Sequence, residues 1–185
     1  MRILNIHGFD GSSENTNYKI LRLLGHNVIS TQLDYRSLSP NQIYNSKLYP
    51  IAKHQDIDLI VATSFGAFFG NRLSAEFNIP CIFTNPCLRP DISLRAIAPE
   101  YFSCKNSKEI TDWRIDQLSN KQYNYTNKTI LIGTADEIID HDSITTKEAV
   151  GAIFYRIEGG KHQLSENQIK DIIEEVIESY EESII

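Results

Sequence analysis

The sequence predicts an α/β fold: a mostly or wholly parallel sheet of six strands with helices on both faces. Two observations carry this prediction. Short apolar runs alternate along the chain with segments of helical spacing, the order that builds a parallel sheet. Two of the runs, Leu59-Ile60-Val61-Ala62 and Ile130-Leu131-Ile132, are apolar throughout, as buried strands are.

Taken in order, Met1-Arg2-Ile3-Leu4-Asn5-Ile6 predicts a first strand over 2–6, followed by the loop His7–Ser13. A helix near 15–24, a strand near 27–33 and a helix near 40–54 follow. The third strand, near 58–63, runs straight into a helix near 65–77, and a fourth is expected near 80–84. Lys128–Gly133 marks a fifth strand near 129–134, with Thr134-Ala135-Asp136 at its carboxyl end. Asp140-His141-Asp142-Ser143 reads as the capped start of a helix over 141–149. Gly151–Ile157 contains a sixth strand near 152–157, followed by Glu158-Gly159-Gly160-Lys161-His162. A closing helix near 164–182 carries Ile169, Ile172, Ile173, Val176, Ile177 and Tyr180 on one stripe, and a row of glutamates opposite. With neither an internal repeat nor a low-complexity linker, 1–185 is expected to be one domain.

Thr63-Ser64-Phe65-Gly66 lies between the third strand and its helix, which holds the serine hydroxyl on a sharp turn. Small residues two before and two after such a serine, here Ala62 and Gly66, let strand and helix approach closely. A serine hydroxyl is a weak nucleophile at neutral pH; it needs a histidine base, and the base needs a carboxylate to fix its tautomer. Hydrolases built on such an elbow carry them in the order Ser, acid, His. Ser64, Asp136 and His162 follow that order, each at a strand end, where open α/β sheets place ligands. The alternatives are a helix N-cap for Ser64, a turn aspartate for Asp136 and a surface or core histidine for His162. His26, His54 and His141 are weaker candidates, being near helix ends or in a cap.

Charge developing on a carbonyl oxygen requires preorganised N–H donors. One is expected from the backbone of Phe65, the residue after the nucleophile, and the other from Phe9 in the loop after the first strand. Gly8 lets that backbone come close to substrate, and His7 is expected to prop the loop, the alternative being a surface histidine. The stretch 85–127 exceeds the dozen or so residues that a crossover needs. It holds Trp113, Tyr101, Phe102, Tyr123 and Tyr125. A lid of one or two helices over Ser64 is expected there, with aromatic residues, Trp113 among them, lining an acyl site. The alternative is a crossover that packs its aromatics into its own core. Arg89 can bind a substrate carboxylate or phosphate, or form a structural ion pair.

Composition narrows the class. A net charge of −6 without a Lys/Arg cluster argues against a nucleic-acid partner. Three cysteines, Cys81, Cys87 and Cys104, suggest neither a disulfide framework nor a zinc site. The first apolar run is too short for a signal peptide, and nothing approaches the ~20 apolar residues of a membrane span. A cytoplasmic location is expected.

His7-Gly8-Phe9, the Ser64 elbow, Asn85-Pro86-Cys87-Leu88-Arg89-Pro90, Gly133-Thr134-Ala135-Asp136-Glu137 and Glu158-Gly159-Gly160-Lys161-His162 occur in that order. Together they resemble the YqiA-type small esterases of the α/β-hydrolase superfamily. The resemblance runs from the first strand to the histidine loop. It implies sheet order 2-1-3-4-5-6 without the two leading antiparallel strands of larger hydrolases. It also implies an intracellular serine esterase acting on carboxylic esters or thioesters of small molecules, with no metal or organic cofactor. Two positions depart from the family pattern: Ala62, and Asp10-Gly11, where relatives tend to carry a neutral polar pair. A carboxylate aimed at the oxyanion would oppose catalysis, so Asp10 is expected to bond its own turn. The alternative, which Asp10 favours, is a hydrolase-like scaffold without turnover that binds a ligand or protein partner.

Overall fold

Successive side chains of a strand point to opposite faces, so an all-apolar strand divides its residues between two cores. The computed structural model, which describes residues 1–119 and 125–182, has two such cores. Its six strands are β1 (Arg2–Ile6), β2 (Asn27–Ser30), β3 (Leu59–Thr63), β4 (Cys81–Thr84), β5 (Lys128–Gly133) and β6 (Ile153–Ile157). All pairings are parallel, in the order β2-β1-β3-β4-β5-β6. Leu4, Ile60, Ala62, Phe83 and Ile130 face one core. Ile3, Leu59, Val61, Ile82 and Leu131 face the other.

The second core is closed by α1 (Thr16–Leu23) and α8 (Glu166–Glu182), which bury Ile20, Leu21, Ile169, Ile173, Val176 and Ile177. The first core lies under α2 (Pro40–Ile43), α3 (Tyr49–His54), α4 (Gly66–Phe77) and α6 (Cys104–Ser119). The helix expected over 40–54 is broken: a π-turn, Tyr44–Leu48, separates α2 from α3. Pro50 lacks the N–H that an unbroken α-helix would use there, and the wider turn accommodates its ring. The segment expected as a helix over 141–149 is likewise a π-turn, His141–Thr145, followed by the single turn α7 (Thr146–Glu148).

Within 85–127 the described residues form α5 (Ser93–Ile97), a 3₁₀ turn (Pro99–Tyr101) and α6. Tyr123 lies outside the described residues. Because β2 lies on one side of β1 and β3 on the other, the winding direction reverses at β1, and the residues that follow β1 and β3 border one cavity. Gly8 and Ser64 meet at that point. Among the described residues no helix is long and apolar enough to cross a membrane.

Candidate active site

Ser64 follows β3 with φ at +50°, in the left-handed region that costs a serine roughly 1–2 kcal/mol. Its neighbours hold it there: its N–H donates to Thr84 O at 3.0 Å, and its carbonyl accepts from Ala67 and Cys87. The turn is tight enough to require glycine on both sides. A Cβ on Gly66 would lie 2.6 Å from the carbonyl oxygens of Ile6 and His7, and one on Gly8 would lie 2.9 Å from Ser64 Cβ. Ala62, the departure from the family pattern, faces Gly70 on α4, where a Cβ would stand 3.3 Å from the alanine methyl. The absence of a side chain at Gly70 leaves room for the Ala62 methyl between β3 and α4.

Three side chains far apart in sequence meet at this edge. His162 Nε2 lies 3.0 Å from Ser64 Oγ, and His162 Nδ1 lies 2.9 and 3.1 Å from Asp136 Oδ2 and Oδ1. The Asp136 side chain is 1 % exposed and that of His162 13 %. Burial pushes the Asp136 carboxyl up, but hydrogen bonds from His141 and His162 and from the N–H groups of Ile139 and Ile138 outweigh it, holding the group below the usual aspartate range. His141 is a partner that sequence reasoning did not assign: its Nε2 lies 2.9 Å from Asp136 Oδ2 and its Nδ1 2.7 Å from Thr145 Oγ1.

Asn85 is a second such residue. Fully buried, with φ at +43°, it sits just past β4. Its Nδ2 donates to the carbonyls of Lys161 and His162 at 2.8 and 2.9 Å, while its Oδ1 accepts from Gly133 N–H at 2.7 Å. One amide therefore ties the histidine loop to the end of the strand that delivers Asp136. The signal for it was the Asn85-Pro86 pair beside a strand end. Glu137 completes the clamp by accepting from His162 N–H at 3.1 Å.

The loop after β1 is braced from inside. His7 is fully buried: its Nε2 accepts from Leu33 N–H at 2.9 Å and its Nδ1–H donates to Gly8 O at 2.8 Å. Burial lowers its pKa against the opposing pull of the Gly8 bond, which suits this neutral tautomer. Phe9 packs against Tyr35, Phe65 and Tyr101, with centroids 5.8, 6.4 and 5.3 Å away. Neither Phe9 N–H nor Phe65 N–H meets an acceptor among the described residues. Asp10 does not bond its own turn. Its carboxylate takes a two-pronged contact from Arg36, Nε at 2.9 Å and Nη2 closer still, and Arg36 also reaches Glu100 at 3.1 Å. The charge that could oppose an oxyanion is therefore matched by a guanidinium.

Two cavities meet at Ser64, each lined in part by Phe9 and His162. One, of about 340 Å³, opens toward α1; the other, of about 250 Å³, runs toward α5 and is walled by Cys87, Leu94, Ile97, Ala98, Ile138 and Ile139. Part of the 85–127 stretch thus borders the site, but its described aromatics do not line it. Trp113 is buried on α6, stacked on Phe68 at 5.5 Å, with its Nε1 donating to Asn41 Oδ1 at 2.8 Å. Tyr101, Phe102 and Tyr125 also line neither cavity. A helix over the first core needs a large apolar anchor, and the tryptophan serves there. Arg89 likewise stands apart from Ser64, paired with Asp91 at 2.7 Å and Glu148 at 3.1 Å. Among the described residues no group of three or more His, Cys, Asp or Glu side chains could hold a metal ion.

A family model described as an uncharacterised protein family, UPF0227, matches residues 2–179. No curated protein matches the chain. Among solved structures it is similar to Est1E from Butyrivibrio proteoclasticus, with a TM-score of 0.70 and 15 % identity over 97 % of this chain and 87 % of that one. A monoacylglycerol lipase from Paleococcus ferrophilus gives 0.68 and 14 % over 97 % and 94 %. One chain from the structures described as LipS and LipT, two metagenome-derived lipolytic enzymes, gives 0.70 and 14 % over 98 % and 93 %. At these identities the likeness shows the fold, which is that of the α/β-hydrolases.

Proposed function

The chain belongs to the YqiA-like family UPF0227, and on that premise we propose that it is a serine hydrolase cleaving carboxylic esters, or thioesters, of small molecules. The observation that supports this most is the unbroken hydrogen-bonded path from Ser64 through His162 to Asp136. The solved structures with the same fold include an esterase domain and several lipolytic enzymes.

In this reading His162 Nε2 takes the Ser64 proton as Oγ bonds to the carbonyl carbon. The oxyanion is held by the N–H groups of Phe9 and Phe65, and Asp136 supports the imidazolium. Collapse breaks the bond to the leaving oxygen or sulfur, which receives the proton from His162. Water, deprotonated by the same imidazole, then releases the acid and frees Ser64. Because the base works only when neutral, activity falls as the medium is acidified. Gly8 gives the substrate room beside the oxyanion donors. Free cysteines, with Cys81 and Cys87 buried, suit a reducing cytoplasm.

Hydrolysis of short p-nitrophenyl esters tests the proposal. Ser64→Ala is expected to lower kcat by about four to six orders of magnitude with unchanged folding. Equal rates for parent and variant would remove it. Parallel kcat/KM values for matched ester and thioester substrates decide between the two leaving groups.

A further inference from the structure

The cavity toward α1 has a polar floor built around one buried amide. Asn17 is 1 % exposed. Its Nδ2 donates to Thr63 Oγ1 at 2.8 Å and to Thr84 Oγ1 at 3.0 Å, and the two hydroxyls lie 2.9 Å from each other. Those three contacts fix which way the amide faces. One threonine hydrogen is committed to the other threonine, so an amide oxygen turned inward would meet one of the hydroxyls with no proton between them. The nitrogen side supplies a hydrogen to each. Asn17 Oδ1 is therefore directed away from the threonines and reaches the cavity, with no donor among the described residues.

A well-placed acceptor at the floor of a cavity selects a donor. A neutral hydroxyl satisfies it, whereas a carboxylate or phosphate would set oxygen against oxygen. Nor does the rim impose a net charge, since Glu14 and Lys19 both line it. On the other side of Ser64 the cavity has an aliphatic wall of Leu94, Ile97, Ile138 and Ile139, with Ser93, Asp10 and Arg36 elsewhere on its lining. We infer that the α1-side cavity is a hydroxyl-recognition subsite. Asn17 Oδ1 accepts from a hydroxyl on the alcohol portion of the ester, and the apolar acyl chain lies against Leu94 and Ile97. The substrates are then short-chain acyl esters of polyols. This inference rests on the ester-hydrolase reading and narrows it.

The test compares two esters of the same shape, 2,3-dihydroxypropyl butyrate and 2-methylbutyl butyrate, which differ by replacement of two hydroxyls with methyls. The parent protein is expected to favour the hydroxylated ester by about tenfold or more in kcat/KM, the effect of an unpaired acceptor in the competing complex. Asn17→Ala brings the ratio toward one; Asn17→Asp keeps an oxygen facing the cavity and retains a preference, at a cost in stability because its inner oxygen supplies the threonines no hydrogen. If neither variant folds, the parent ratio carries the test. Equal rates for the two esters in the parent, or a preference that survives Asn17→Ala, overturn the subsite and leave ester hydrolysis standing. Turnover of neither ester, nor of p-nitrophenyl acetate, removes the hydrolase reading and the subsite with it.

Discussion

Asp136 holds two histidines on one carboxylate oxygen, His162 from the loop after β6 and His141 from the π-turn after β5, each 2.9 Å away. The near ends are alike and the far ends are not. The second nitrogen of His162 meets the Ser64 hydroxyl, and its ring borders both cavities. That of His141 ends on Thr145 Oγ1, with the side chain 5 % exposed. An aspartate–histidine contact is therefore not itself a sign of chemistry. On the proposed reading, what the far nitrogen meets, and whether a substrate can reach it, separates a base from a brace.

The sharpest way to break this comparison is to remove each ring in turn. His162→Ala is expected to lower kcat for p-nitrophenyl esters by about four to six orders of magnitude. His141→Phe should lower it by about tenfold or less, the scale of one lost hydrogen bond acting through Asp136. Comparable losses in the two variants would contradict the separation of roles.

A second contrast divides the insertion, whose α5 borders the site while α6 anchors the core. Trp113→Ala should destabilise the fold by about 3–5 kcal/mol, as other large-to-small core changes do. The folded fraction is expected to retain its kcat, and urea unfolding paired with activity per folded molecule checks both. A selective loss of kcat would return Trp113 to the site. Asn85→Ala leaves the Gly133 N–H and two loop carbonyls without their partner. It is expected to cost about 2–3 kcal/mol in the same unfolding measurement, with a fall in kcat as the His162 loop loosens.

The smallest effect concerns acid. Asp136 titrates lower in the folded chain than in the unfolded one, so its contribution to stability is complete above the ordinary aspartate value near ~3.9. That contribution is lost as the pH falls through the folded value. Without the His141 hydrogen bond the folded value rises, and His141→Phe should begin acid unfolding at a higher pH, by about one unit or less. Circular dichroism across an acid titration reads this shift, and coincident curves for parent and variant would contradict it.

The sheet and the three strand-end residues were legible because local patterns carry them. Apolar runs of strand length, each followed by small or turn residues, place Ser64, Asp136 and His162 on one edge once the strands are parallel. What was not legible depends on contacts across the fold. His141 looked like part of a helix cap, Asp10 like a turn residue, and Arg36 carried no motif at all. Asn85 belonged to a quoted motif, yet its role comes from three bonds to two other strand-end loops. Trp113 was misplaced for a related reason: apolar character says that a side chain is buried, not which side of a helix finds the core. The π-turn before Pro50 was missed because helical periodicity alone does not register the ring's demand for space.

Activation of the Ser64 hydroxyl is measured by reaction with a fluorophosphonate probe followed by mass spectrometry of the modified peptide. Rapid labelling confined to Ser64, and lost in His162→Ala, is expected. Labelling at another residue, or equally fast labelling of Ser64 without the imidazole, would contradict it.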